Sequence, residues 1–105
     1  MEIPTVTSAP AGSFLLDVRE DDEWAAGHAP QAVHIPLGEL VARIDEVPRD
    51  RQVVAVCHSG GRSARATAFL CSQGVDAVNF AGGMLAWAAA GAPMQSSTGA
   101  PPVVY

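Results

Sequence analysis

Apolar residues in this chain fall into short blocks separated by glycine, proline and charged positions. Phe14-Leu15-Leu16-Asp17-Val18-Arg19, Val53-Val54-Ala55-Val56 and the stretch over residues 75–80 are compact and rich in β-branched or bulky side chains. Runs of this length bounded by turn residues predict buried strands. Residues 3–7 predict a short edge strand, because Pro4 has no N–H to give a ladder. Val33-His34-Ile35 predicts another short strand, ended by Pro36. Between these blocks the period changes. Glu20-Asp21-Asp22-Glu23 places acidic charge in the first turn of a short helix that Gly27 ends. Leu37, Leu40, Val41 and Ile44 recur at helical spacing and predict a helix over residues 37–44. A longer helix runs from Gly61 or Arg62 to about Gln73, with Ala66, Phe69 and Leu70 on one face and Gly74 as its cap. A last helix over residues 84–90 ends at Gly91 and Pro93. Strands alternating with helices through short links predict an α/β fold with a mainly parallel sheet. Asp17, Arg19 and Cys57 all fall where strands end, the edge at which open α/β sheets build sites.

Composition narrows the picture. With 105 residues and 49% hydrophobic content the chain is one domain with a modest core. Residues 1–94 form the folded unit, and the Ser/Pro/Gly-rich tail over residues 95–105 is expected to be mobile. No apolar run approaches the ~20 residues that span a bilayer, which excludes a membrane partner. Residues 1–11 hold no Lys or Arg, so no signal peptide is expected. The net charge of −5 argues against nucleic acid. Two cysteines make neither a disulfide framework nor a zinc pattern, so a reducing, cytoplasmic setting is expected, without metal or cofactor.

The candidate chemistry lies in Val56-Cys57-His58-Ser59-Gly60-Gly61-Arg62-Ser63. A cysteine ends a buried strand, two glycines follow, and a helix begins. Unpaired N–H groups and the helix dipole gather there, and they would stabilise a sulfur anion. Gly60 and Gly61 are expected to curl the backbone with positive φ. Cys57 is therefore the candidate nucleophile, reactive as thiolate. Arg62, and Arg65 one turn on, would give a locally positive mouth suited to an anionic donor. Ser63 reads as a helix-end cap, Asp17 with Arg19 as a structural ion pair, and Trp24, Trp87, His28 and His34 as packing or turn residues. His58 reads equally well as an exposed loop residue. Cys71 is about 15 Å of helix away from the loop at ~1.5 Å per residue, too far for a bridge to Cys57.

These residues resemble a known family. Leu16-Asp17-Val18-Arg19-Glu20, Glu23-Trp24, Gly27-His28-Ala29-Pro30, His34-Ile35-Pro36, Cys57 to Ser63 and Asn79-Phe80-Ala81-Gly82-Gly83 with Trp87 are similar in order and spacing to a single-domain rhodanese. The resemblance implies a rhodanese-like fold, a five-stranded mainly parallel sheet with helices on both faces. It implies a persulfide on Cys57, cradled by the backbone of His58, Ser59, Gly60, Gly61 and Arg62. It also implies sulfane-sulfur transfer from a small anionic donor such as thiosulfate to cyanide or a thiol, with a sulfur-relay protein as a further partner. Two other readings stand beside it. One is a cysteine phosphatase or arsenate reductase, whose loops resemble this one but hold one more residue between Cys and Arg. The other is a partner-binding or redox-sensing rhodanese-like module.

Overall fold

A computed structural model describes residues 3–105. Five strands form one parallel sheet: β1 (Thr5–Val6), β2 (Phe14–Asp17), β3 (Val33–His34), β4 (Val53–Val56) and β5 (Ala77–Phe80), in the order β1-β5-β4-β2-β3. The helices are α1 (Asp21–Ala26), α2 (Gly61–Ser72) and α3 (Gly83–Ala89). The expected α/β class and the edge position of the first strand both hold. Connections from β2 run outward to β3, and those from β4 run the other way to β5. The chain therefore changes direction between β2 and β4, and the crevice beyond their C-terminal ends is where such sheets bind ligands.

Side chains alternate across the central strands with the period of two that a pleat imposes. Leu16, Val18, Val53, Ala55 and Cys57 point to the face covered by α2, where Ala66 and Leu70 meet them. Leu15, Val54, Val56 and Val78 point to the other face, against Met84 and Trp87 of α3. Cys57 thus continues the register of Val53 and Ala55, and this directs its sulfur towards the start of α2.

One expected element is different. Residues 37–44 do not form an α-helix. They make two single 3-10 turns, Leu37–Glu39 and Ile44–Glu46, joined by further turns. Pro36 fixes the entry and Gly38 weakens a continuous helix. The apolar face is also narrower than the spacing suggested: Leu40 is buried, but Val41 is 68% exposed. Arg43 holds the segment from outside by pairing with Glu39 and Glu46.

The two faces are locked at the edge that matters. Arg19 Nε lies 2.9 Å and 3.1 Å from the two Asp17 carboxylate oxygens, and its Nη2 donates both to Asp17 and to the Gly27 carbonyl at 2.7 Å. Both side chains are fully buried. The expected structural ion pair is therefore present. Breaking such a pair leaves an uncompensated buried charge, at about 3–5 kcal/mol. Through Gly27 it also fixes the end of α1 against the end of β2. The tail is tied to the same helix: Ser97 and Val103 donate N–H bonds to the carbonyls of Ala25 and Ala26, and Gln95 pairs with His28. Gly27 stands where any Cβ would run into the Val103 backbone.

Candidate active site

Cys57 follows directly on β4, and α2 begins four residues later. Gly60 makes that turn possible: its φ of 120° is a conformation that L side chains rarely adopt. Gly61 does not share it. It opens α2 outside the positive-φ set, so only one of the two glycines is needed for the curl.

The curl points donors at the sulfur. Gly60 N–H donates to Cys57 Sγ at 3.1 Å, and the Ser63 hydroxyl lies 3.3 Å from it. Cys57 is almost wholly enclosed, at 1% exposure, yet donors surround its sulfur. Burial alone would push its pKa up. The Ser63 hydroxyl and the amides of Ser63, Gly60 and Ser59 outweigh that, and the thiol ionises below its ordinary range. These are dipoles aimed at one atom, the arrangement that favours an anion in a dry site.

Ser63 needs closer accounting. Its side chain is fully buried, and a hydroxyl has one proton to give. Three acceptors are within reach: Asn79 Oδ1 at 2.5 Å, Cys57 Sγ at 3.3 Å and the Gly60 carbonyl at 3.3 Å. With a neutral thiol the proton belongs on the short bond to Asn79. Once the sulfur carries charge, a charge-assisted bond to Sγ is roughly twice as strong as a neutral one, and the proton is drawn to it. Asn79 Nδ2 meanwhile donates to the Gly60 carbonyl at 3.3 Å, bracing the turn from β5. Ser63 is thus a sulfur ligand rather than the helix-end cap its position suggested.

The N-terminus of α3 holds the other side. Met84 and Leu85 donate N–H bonds to the carbonyls of Cys57 and His58, at 2.7 Å and 3.1 Å. This packing requires Gly83, whose φ is 56° and where a Cβ would collide with both carbonyls. Both carbonyls are thereby engaged by amides of α3.

Arg62 does not stand free as expected. Its Nη1 and Nη2 donate to the two carboxylate oxygens of Glu23 on α1, at 2.6 Å and 2.8 Å. Glu23 also accepts the Glu20 N–H at 3.0 Å, within a capping box. The hydrogen bond from Arg62 holds the Glu23 carboxyl down at about 2, and the same pair pushes Arg62 further up. The locally positive mouth expected from sequence is therefore offset where Arg62 stands. Arg65 is exposed on α2.

Of the remaining loop residues, Ser59 and Gly61 are exposed and His58 is half-buried. Trp24 stacks between His28 and His34, with ring centroids at 3.7 Å and 4.8 Å, a packing role for all three. Trp87 packs edge-on against Phe80. Cys71 faces the Ala77 carbonyl and is free. Among the described residues no group of three or more potential metal ligands comes together. No helix there is long and apolar enough to cross a membrane.

The family model for the rhodanese-like domain matches residues 6–90. The chain belongs to this rhodanese-like family. It is 45% identical over 74 residues to YtwF of Bacillus subtilis, covering 70% of this chain and 72% of that protein. It is 42% identical over 87 residues to a sulfurtransferase of Allochromatium vinosum, covering 82% of this chain and 81% of the relative. Among solved structures, a rhodanese-related protein from Thermoplasma volcanium superposes with a TM-score of 0.76 at 34% identity, over 79% of this chain and 83% of its own. The fold implied by the sequence resemblance is thus the fold of the family.

Three contributors were not read as part of the rhodanese-like site from sequence. Asn79 was visible as a polar residue inside an otherwise apolar strand, Ala77-Val78-Asn79-Phe80. Glu23 was read as acidic charge in a helix's first turn and within the Glu23-Trp24 motif, and its partner lies 39 residues away. Gly83 stood only within the Asn79-Phe80-Ala81-Gly82-Gly83 motif, and its close approach to Cys57 is purely tertiary.

Proposed function

We propose that this chain is a sulfurtransferase that carries a sulfane sulfur as a persulfide on Cys57. The observation that carries the reading is the Cys57 sulfur facing the Gly60 amide and the Ser63 hydroxyl at the start of α2. The Cys57 thiolate attacks the outer sulfur of a donor such as thiosulfate. The donor S–S bond breaks with its electron pair leaving on sulfite, and a Sγ–S bond forms: thiolate and thiosulfate give persulfide anion and sulfite. The terminal persulfide sulfur is then taken by cyanide or a thiol, and the Cys57 thiolate returns with the electron pair of the broken bond. The backbone of residues 58–62 receives the added sulfur, and of these residues Ser59 and Gly60 already turn their amides to the thiolate. The lowered pKa of Cys57 favours its thiolate without an adjacent general base.

Donor and acceptor are proposed at the level of chemistry: a small anionic sulfur donor, and a thiophilic acceptor that includes a thiol on a sulfur-relay protein. A free thiolate nucleophile suits a reducing compartment, and we place the protein in the cytoplasm. The domain consists of residues 1–94 with 95–105 as an accessory tail.

The test is intact-mass measurement before and after thiosulfate. The expected result is a gain of one sulfur atom, its removal by cyanide, and no gain in Cys57→Ala. A wild-type protein that takes up no sulfur overturns the reading. The phosphatase alternative has less support. Four residues, not five, separate Cys57 from Arg62, and the Arg62 guanidinium is committed to Glu23 rather than open to an oxyanion.

A further inference from the structure

We propose that Glu23 is a specificity-determining residue: by cancelling the charge of Arg62, it makes the mouth discriminate against dianionic sulfur donors in favour of donors of lower charge. The inference rests on Cys57 being the sulfur acceptor.

Arg62 is the only Lys or Arg between Cys57 and Ser63. Both of its terminal nitrogens are bonded to Glu23. The carboxylate is itself fixed: only 14% of its side chain is exposed, and the Glu20 amide holds one oxygen. The pair is therefore a prearranged feature of the rim and not a passing surface contact. Glu20, Asp21 and Asp22 precede it on the same helix start, and all three are exposed. An incoming donor thus meets a guanidinium with N–H groups still to offer but with no net charge behind them. Beyond the exposed Arg65 one turn on, the attraction that remains comes from amide dipoles, which fade within about one helical turn. Such dipoles hold a single sulfur well and add little for a second negative charge further out.

The sign of the effect follows from Coulomb's law. Removing the Glu23 charge leaves Arg62 unopposed, and the gain scales with the charge on the donor. Thiosulfate and methanethiosulfonate make a matched pair. Each has one transferable sulfur on a sulfonyl centre, but the first is a dianion and the second, with methyl in place of one oxygen, a monoanion. Their leaving groups are sulfite and methanesulfinate, so both reactions balance as sulfur transfer to the Cys57 thiolate.

The experiment measures the second-order rate of Cys57 loading by each donor, followed by intact mass. Glu23→Gln keeps the acceptor oxygen that caps α1 and removes the charge. At low ionic strength it should speed loading by thiosulfate about tenfold and by methanethiosulfonate about threefold. The donor ratio then shifts about threefold towards thiosulfate, and the shift should shrink at high salt. Asp22→Asn removes an equal charge from the same turn without touching Arg62, and should change either rate by less than about twofold. A measurement on the unmodified protein is independent of any variant: its thiosulfate rate should not fall as salt is raised. An unchanged donor ratio in Glu23→Gln overturns the proposal. So does an equal effect of Asp22→Asn, or a steep salt-dependent fall in the wild-type thiosulfate rate. No loading of the wild type by either donor overturns the Cys57 reading itself, and this inference with it.

Discussion

At the Cys57 sulfur, the polar groups come from neighbouring residues of one turn, Ser59, Gly60 and Ser63, and they act as dipoles without formal charge. At the mouth a few residues away, a full guanidinium from α2 meets a full carboxylate from α1, 39 positions earlier in the chain. The floor concentrates partial positive charge on one atom, and the rim neutralises itself. A floor of dipoles can stabilise a thiolate or a persulfide whatever the rest of the donor carries. A rim of cancelled charges decides how strongly that rest is drawn in. Reactivity and selectivity are thus assigned to different residues, and substitutions should separate them.

The largest effect is expected at the centre of the floor. Cys57→Ala should take up no sulfur from any donor while keeping its fold, since a small side chain in a buried site leaves only a modest cavity. Equal loading of this variant, read by mass, would move the chemistry to Cys71. Next comes the support beneath the floor. Gly83→Ala puts a Cβ against the Cys57 and His58 carbonyls at a φ of 56°. Overpacking and left-handed strain together should cost about 3 kcal/mol in urea unfolding. They should also slow sulfur loading, because the Cys57 and His58 carbonyls would have to shift and carry the loop with them. Gly61→Ala is the control for glycine loss as such: its Cβ meets nothing within 4 Å and its φ is not positive. Stability should change by less than about 1 kcal/mol there.

Ser63→Ala tests the floor without touching the rim. The folded protein holds the Cys57 pKa below its ordinary value of 9.0, against burial and through the Ser63 hydroxyl and the loop amides. A depressed pKa means that thiolate is present at lower pH, so the alkylation rate with iodoacetamide should reach its plateau early. Losing a hydrogen bond to a charged sulfur should raise the midpoint by about one unit and slow alkylation about tenfold at neutral pH. The linked stability has the same sign: it is present above the unfolded thiol pKa and lost as pH falls through the folded one. Asn79→Ala should move the midpoint the opposite way, since the hydroxyl proton would no longer be shared with Asn79 Oδ1. A midpoint that rises in both variants would mean that Asn79 positions Ser63 rather than competing for its proton.

The backbone of the floor was legible in the sequence; the Ser63 hydroxyl, the bracing by Asn79 and Gly83, and the rim were not. Val53-Val54-Ala55-Val56-Cys57 specifies a strand by local pattern, and Gly60 ahead of a helix-favouring run specifies the turn. Strand alternation then fixes the side on which the sulfur lies. All of this is short-range, and it explains why order, spacing and fold class were readable together. The pairing of Arg62 depends on where α1 sits, and that depends on the Asp17–Arg19 pair gripping Gly27. No local pattern encodes such a chain of contacts. The helix expected over residues 37–44 failed for a related reason. Its spacing was helical, but Gly38 and the exposure of Val41, with Leu37 and Ile44 only partly buried beside Leu40, left 3-10 turns as the better packing.

The smallest effect belongs to the rim, and pH isolates it. Glu23 is lowered from 4.5 to about 2, chiefly by its hydrogen bond from Arg62. A depressed carboxylate contributes stability that is complete above its unfolded pKa and lost as pH falls towards its folded one. The pair should therefore stabilise the fold at neutral pH and stop doing so between about 4.5 and 2. Arg62 is 32% exposed, so solvent screening reduces the contribution to about 1 kcal/mol. Urea unfolding of the wild type and Glu23→Gln should show that gap at neutral pH and a closing gap across this acid window. Ser63→Ala should show no such closing there, because the group it perturbs titrates as a thiol. A gap that persists unchanged to the acid limit would mean that Glu23 stabilises by shape alone, and the division between a dipolar floor and a charge-cancelled rim would lose its energetic basis.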